Sequence, residues 1–185
     1  RTPVRIVVGS VESSRQGLVL ELEPSLVAEQ KSGKSLDRDR GRRLGESASA
    51  GQAHIVMGNH EYNAIAWVTT DPATDEPCRD HETNLKGHKK FLRQVGEDSA
   101  LHHELIEWFR TLPLWLTVTH RGNTLRVVHA CWHEASMREL APHLTAARTL
   151  TPEGFIATTR KHTPAYEALD TVLKGPEVRV SYRGV

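Results

Sequence analysis

Several features that would take a chain out of ordinary soluble chemistry are missing here. There are only two cysteines, Cys78 and Cys131, too few for a disulfide framework and in keeping with a reducing compartment. No apolar run approaches bilayer-spanning length, and the stretch from Arg1 has no signal-peptide pattern. Nor does one sign of charge dominate. Lys and Arg number 24 against 23 Asp and Glu, a formal net charge of +1, which gives no reason to invoke a nucleic-acid polymer or a membrane as partner. A cytoplasmic protein is the expectation.

What is present is enough for one core. The 185 residues, 38 % hydrophobic and 25 % charged, suit a single globular domain on the polar side of average. Its centre is His54-Ile55-Val56-Met57-Gly58-Asn59-His60-Glu61. A short strand runs into Gly58, where glycine tolerates a tight turn, and a helical pattern follows from Glu61 to Thr70. That turn presents Asn59 and His60 together. An amide oxygen can complete the shell of a divalent cation, and an imidazole can bind metal or carry a proton. In an α/β protein, the carboxyl end of a strand is where sites form.

A second histidine ends a later strand, Leu125-Arg126-Val127-Val128-His129-Ala130. Position alone favours a hydrogen-bonded core residue over a ligand for His129. His129, Cys131 and His133 alternate in the manner of zinc donors, and alternation on a strand would put them on one side, but no fourth ligand accompanies them. Cys131 reads as a small packed thiol. The other histidines fall in no ligand spacing, and His102 and His103 point to different helix faces.

Gly58-Asn59-His60-Glu61 resembles the Gly-Asn-His-Asp/Glu signature of the calcineurin-like metallophosphoesterases, the superfamily of Ser/Thr protein phosphatases and diadenosine tetraphosphatases. Val128-His129-Ala130 resembles that family's later Val-His-Ala segment, and Val128-His129-Ala130-Cys131-Trp132-His133, preceded by Trp108 to Trp115, is similar to a bacterial branch of it. The resemblance covers residues 51–177. It implies an α/β fold, a sheet sandwich flanked by helices, over one domain that is incomplete at both ends. It also implies two divalent cations, with manganese favoured over iron, zinc or magnesium. Asn59 and His129 would be metal ligands and His60 the general acid. His133 falls near the site, where solvent exposure is preferred over substrate contact.

Other parts of the family pattern are lacking. No Asp-x-His precedes Asn59, and the strand Arg5-Ile6-Val7-Val8-Gly9 leads to Ser10, where a metal-bridging Asp is expected. A neutral hydroxyl does little to hold two dications together. Asp37-Arg38-Asp39-Arg40-Gly41 imitates an Asp-Arg-Gly motif with no strand before it, and no histidine follows His162. Residues 31–50 have almost no apolar periodicity and read as a solvated or disordered loop. Ala28 to Ser35 fits a relaxed phosphate-loop pattern, with Lys34 and Ser35 as ligands, but Pro24 interrupts the approach and a charge run follows. A basic surface loop is preferred.

The remaining punctuation is clear. Asp71 to Asp80 reads as loop, Lys86 to Val95 as helix, and Ser99 as the cap of a helix with Leu101, Leu105, Trp108, Phe109 and Leu112 inward. Pro113 ends that helix, and strands Leu114 to Thr119 and Leu125 to Ala130 flank a turn at His120 to Asn123. Thr151-Pro152 and Thr163-Pro164 open helices, and Gly175-Pro176 closes the last one, packed through Leu169, Val172 and Leu173.

Three functions are weighed. The first is a metal-dependent hydrolase of phosphate esters, its substrate a phosphorylated small molecule, nucleotide or phosphoprotein. The second is an inactive relative that keeps the fold as a binding module, and the third a phosphate-loop nucleotide-binding protein. An incomplete sheet would leave apolar edges exposed and favour self-association.

Overall fold

A short β-branched run forms the first strand, β1 Arg5–Val8, and β2 Leu18–Glu21 and β3 Val27–Glu29 follow, each with a single valine. A computed structural model describes these and residues 53–120 and 123–176. β1 lies between β2, which it pairs antiparallel, and β4 (Ala53–Ile55), which it pairs parallel, giving the order β3-β2-β1-β4. The register sets Val7 opposite Ile55. The strand that leads into the Gly-Asn-His turn therefore lies beside the first strand, running the same way. Ala28 and Glu29 of the phosphate-loop pattern belong to β3. Its ligands Lys34 and Ser35, together with Ser10 and the Asp37 to Gly41 stretch, lie outside the described residues.

Helix α1 spans Asn59–Val68 and buries Glu61, Ala64, Ile65, Ala66 and Trp67. It starts two residues before the expected Glu61, because Gly58 is the N-cap. Asn59 and His60 are thus first-turn helix residues and not loop residues. The expected loop after it contains a two-residue hairpin, β5 Thr70–Asp71 with β6 Glu76–Pro77. Asp71 steadies it by accepting from the Ala73 N–H at 2.9 Å and from Arg160 at 3.2 Å. Arg160 also holds the Asp71 carboxyl below its ordinary range.

Helix α2 is His81–Val95, longer at its start than its apolar residues indicate. Asp80 accounts for the difference: its carboxylate accepts from the Glu82 N–H at 2.9 Å and its carbonyl from the Asn84 side chain at 2.8 Å. Phe91, Leu92 and Val95 face inward as expected. Helix α3, Ala100–Arg110, is capped by Ser99, which accepts from the His102 N–H at 3.1 Å. Its buried face is His102, Ile106 and Phe109, with Leu101, Leu105 and Trp108 flanking it. The face is rotated by one residue from the apolar count because a histidine occupies a core position.

The hairpin of β7 (Trp115–His120) and β8 (Asn123–Val128) follows, with Trp115 opposite Val128. β8 ends before His129, so residues 129–133 are not a strand and the alternation expected for His129, Cys131 and His133 does not apply. An unexpected short helix comes next, α4 (Glu134–Leu140), then a 3-10 turn at Ala141–His143. α5 (Pro152–Thr159) and α6 (Pro164–Lys174) start as the Thr-Pro pairs require. Thr151 accepts from the Gly154 N–H at 2.9 Å and Thr163 from the Tyr166 N–H at 3.2 Å.

One continuous apolar core joins these helices, from Ile65, Phe109 and Leu114 through Leu140 and Phe155 to Leu169 and Val172. Full burial of each large side chain contributes about 1.5–3 kcal/mol. Val56 and Val127 form a second, small cluster that ties the end of β4 to β8. The architecture is α/β. No described helix is long and apolar enough to cross a membrane.

Candidate functional site

The turn at Gly58 is built from both sides. Before it, Val56 and Met57 are buried, and the Met57 N–H donates to the Pro113 carbonyl at 2.8 Å. After it, the Gly58 carbonyl accepts from the Tyr62 N–H at 3.0 Å to start α1. The Gly58 N–H itself donates to Glu61 Oε2 at 3.1 Å. That is the reciprocal half of a capping box, in which a third-position glutamate reaches back to the cap. Glu61 is only 2 % exposed, and sequence reasoning assigned it no role. The spacing from Gly58 to a Glu three residues on was the available signal.

His129 arrives from the far end of the β7–β8 hairpin, one residue past β8. Its loop is anchored on α6: the Ala130 and Cys131 N–H groups both donate to the Val172 carbonyl, at 3.2 and 3.3 Å. Val172 lies in the last turn of that helix, where carbonyls lack partners within the helix. So held, the His129 ring reaches Gly58. A β-carbon on Gly58 would stand 2.9 Å from His129 Nδ1 and Cε1, and 2.5 Å from Glu61 Oε2. Only a residue without a side chain permits this approach.

His60, the second residue of α1, is close enough to affect the charge of His129. Burial, and then His60, hold the His129 imidazole below its ordinary range, so it is neutral near pH 7. Its Nδ1 is buried with no hydrogen-bond partner, an arrangement that costs free energy unless something accepts or donates there. Asn59 is half-buried and lines a cavity on the flank of α1. The structure thus brings His129 and His60 to one turn, with Asn59 as the third residue of that turn.

His133 is placed differently. It is exposed and caps α4: its Nδ1 accepts from the Ser136 N–H at 3.3 Å and lies 2.8 Å from Ser136 Oγ. Histidine is not among the residues usually sought as caps, which is why α4 went unexpected. With Nδ1 engaged, only Nε2 faces outward for any contact. Cys131 and Trp132 are half-buried, and the Arg126 guanidinium lies over the Trp132 ring at 5.1 Å.

The orphaned, neutral imidazole nitrogen at the Gly58 turn and the Asn59 carboxamide on the cavity lining are each of a type that a divalent cation takes as donor. Among the described residues, no group of three or more His, Cys, Asp or Glu stands together as a complete set of metal donors. Comparison with protein-family models, with curated proteins and with solved structures finds no match to this chain.

Proposed function

We propose that this chain is a metal-dependent hydrolase of phosphate esters, resembling the calcineurin-like metallophosphoesterases in its centre and, as an expectation, in its sheet sandwich. One observation carries the reading: the two motif fragments, Gly58-Asn59-His60-Glu61 and Val128-His129-Ala130, meet at Gly58 although they are distant in sequence. Nothing in local propensity requires that meeting. The parallel pairing of β1 with β4 supports it, since it sets the end of β1 beside the strand that enters the turn.

In this reading Asn59 and His129 would hold cation, manganese by preference, through the amide oxygen and a ring nitrogen. Such a cation supplies Lewis acidity toward phosphate oxygens and toward the attacking water. The remaining work belongs to the chain. Burial keeps His129 neutral, so a lone pair stays available. Glu61 fixes the Gly58 turn and so the first turn of α1. The N-terminus of α1 presents the positive end of its dipole to an anionic ester. His60, half-buried, delivers a proton to the departing alkoxide oxygen.

A second reading, a binding module without catalysis, is favoured by the sparse donor set among the described residues. Phenyl phosphate hydrolysis with added manganese separates the two, run beside His60→Ala and Asn59→Ala. The hydrolase reading expects turnover in the parent, lost in both variants, and calorimetric manganese binding weakened in Asn59→Ala and His129→Ala only. A parent that neither hydrolyses the ester nor binds manganese leaves the binding module.

A further inference from the structure

α1 forms one side of a cavity of about 340 Å3, with residues 78–80 and the helices α5 and α6 closing it on other sides. Its floor is apolar: Ala66, Leu169 and Leu173 are each buried to 3 % exposure. Two phenol rings, Tyr62 and Tyr166, stand in the wall. Tyr62 is fixed in place, its hydroxyl hydrogen-bonded to Thr158 at 3.0 Å and its ring against Phe155 at 4.9 Å. Carboxamides from Asn63 and Asn84, the Thr158 and Thr159 hydroxyls and several charged side chains ring this apolar floor, so the lining offers both apolar and hydrogen-bonding contacts to a small molecule. Lys174 on the lining is ion-paired with Asp170 of the same helix, and with Arg79, Lys161 and Asp80 the lining carries an excess of one positive charge.

The position of the cavity gives it a role. Asn59 lines it, while His60 and His129 do not. A phosphoryl group at the Gly58 turn would therefore meet the cavity across Asn59, with the rest of the ester directed along α1. We propose that this cavity is the subsite for the organic group of the substrate, and that the group is compact and carries a ring. The proposal rests on the hydrolase reading and goes beyond it by naming the substrate class. Apolar floor and aromatic walls favour a ring over a short aliphatic alcohol, since aromatic pairs gain from offset and tilted contacts. The volume lies at the small end for such sites. A phosphoprotein presents its phosphate on a chain that continues in both directions, whereas a cavity of about 340 Å3 has room for one compact group.

The test uses the full 185-residue chain with manganese and three probes: phenyl phosphate, methyl phosphate and a phosphoserine peptide. Ala66→Leu adds side-chain volume to the floor, and Tyr166→Ala removes a ring from the half-buried wall. Phenolate leaves more readily than methoxide or a serine alkoxide, so the parent's preference for phenyl phosphate is not itself the readout. The expected result is that the ratio of kcat/KM for phenyl over methyl phosphate falls in the cavity variants. Ala66→Leu then raises KM for phenyl phosphate by about tenfold, the scale of small volume changes in apolar pockets, and leaves methyl phosphate unchanged. Should Ala66→Leu fail to fold, Tyr166→Ala carries the same expectation as a reduced preference for phenyl over methyl phosphate. A preference unchanged in the folded variants, or a phosphopeptide better than phenyl phosphate, overturns the proposal.

Binding of phenyl phosphate, followed by saturation-transfer NMR in parent and variants, keeps the two failures apart. Binding that Ala66→Leu removes, in a parent that turns over neither ester, retains the cavity as the site of a ring-bearing anion and overturns the hydrolase reading alone. Turnover of phenyl phosphate that both cavity variants leave untouched overturns the cavity alone. Neither binding nor turnover overturns both.

Discussion

His129 packs against Gly58 so closely that its Nδ1 lies 2.9 Å from the place a β-carbon would take. The contact joins the loop after β8 to the cap of α1, and Glu61 Oε2 shares the same space at 2.5 Å. Gly58→Ala must displace both, Glu61 Oε2 further than the ring. Both are side chains, so they can yield, and the expected loss of stability is about 1–3 kcal/mol, as for other overpacked sites. Urea unfolding measures it. Manganese affinity should fall in the same variant, because the ring that moves is the expected ligand. A stability within about 0.5 kcal/mol of the parent would mean the ring is not held at Gly58.

Glu61 makes a separable contribution. Glu61→Ala removes the acceptor from the buried Gly58 N–H, which costs about 1–3 kcal/mol when no other partner replaces it. Glu61→Gln keeps an acceptor oxygen at the same reach. The Gln variant is therefore expected to retain most of the stability that the Ala variant loses, read as the two urea midpoints. Equal losses would show that the charge of Glu61, and not its hydrogen bond, holds the turn.

Acid sensitivity is expected from the core. His102 is 3 % exposed, its Nδ1 accepts from the Asp98 N–H at 3.1 Å, and its ring meets Phe91 edge-on at 5.7 Å. Burial, and secondarily the neighbouring His103, lowers its pKa. A histidine with a lowered folded pKa stays neutral in the native state while the unfolded chain takes up a proton. The stability this gives is complete above the unfolded value of about 6.5 and is lost as pH falls through the folded value. Urea midpoints measured at pH 7.5 and pH 5.5 should fall less in His102→Phe than in the parent. Parallel falls would sink the assignment to His102.

Much of the fold can be read from the chain because its signals are local. Thr151, Thr163 and Ser99 are caps whose hydroxyl reaches a backbone N–H three residues on, and each forms as read. β1 and the β7–β8 hairpin follow their β-branched runs. Other features depend on distant partners and are silent in a local reading. His102 replaces an apolar residue on the inner face of α3, and α4 is capped by a histidine, so neither is counted by hydrophobic period or by cap type. At the candidate site, Asn59, His60 and His129 were legible only as fragments of a motif. Their meeting depends on Gly58, on the Val172 carbonyl that anchors the His129 loop, and on Glu61, which a composition-based expectation leaves on the surface.

A second glycine puts backbone against backbone. A β-carbon on Gly154, in the first turn of α5, would lie against the carbonyl oxygen of His143, closer than any real contact of this kind, with His143 C at 2.8 Å. That carbonyl already accepts from the Thr151 N–H at 3.0 Å, so the 3-10 turn is fastened to the cap of α5. At Gly58 the obstructing atoms belong to side chains that can rotate away. At Gly154 they belong to a backbone held by the core residues on either side, Leu140 and Phe155. Gly154→Ala is therefore expected to cost more than Gly58→Ala, about 3 kcal/mol or more, within the range that marks severe core disruption. The loss should appear in urea unfolding and leave the manganese affinity of the folded fraction unchanged, since α5 supplies none of the expected ligands. The reverse order of the two glycine variants would mean that the His143 turn moves freely and that the rigid contact is the one at Gly58.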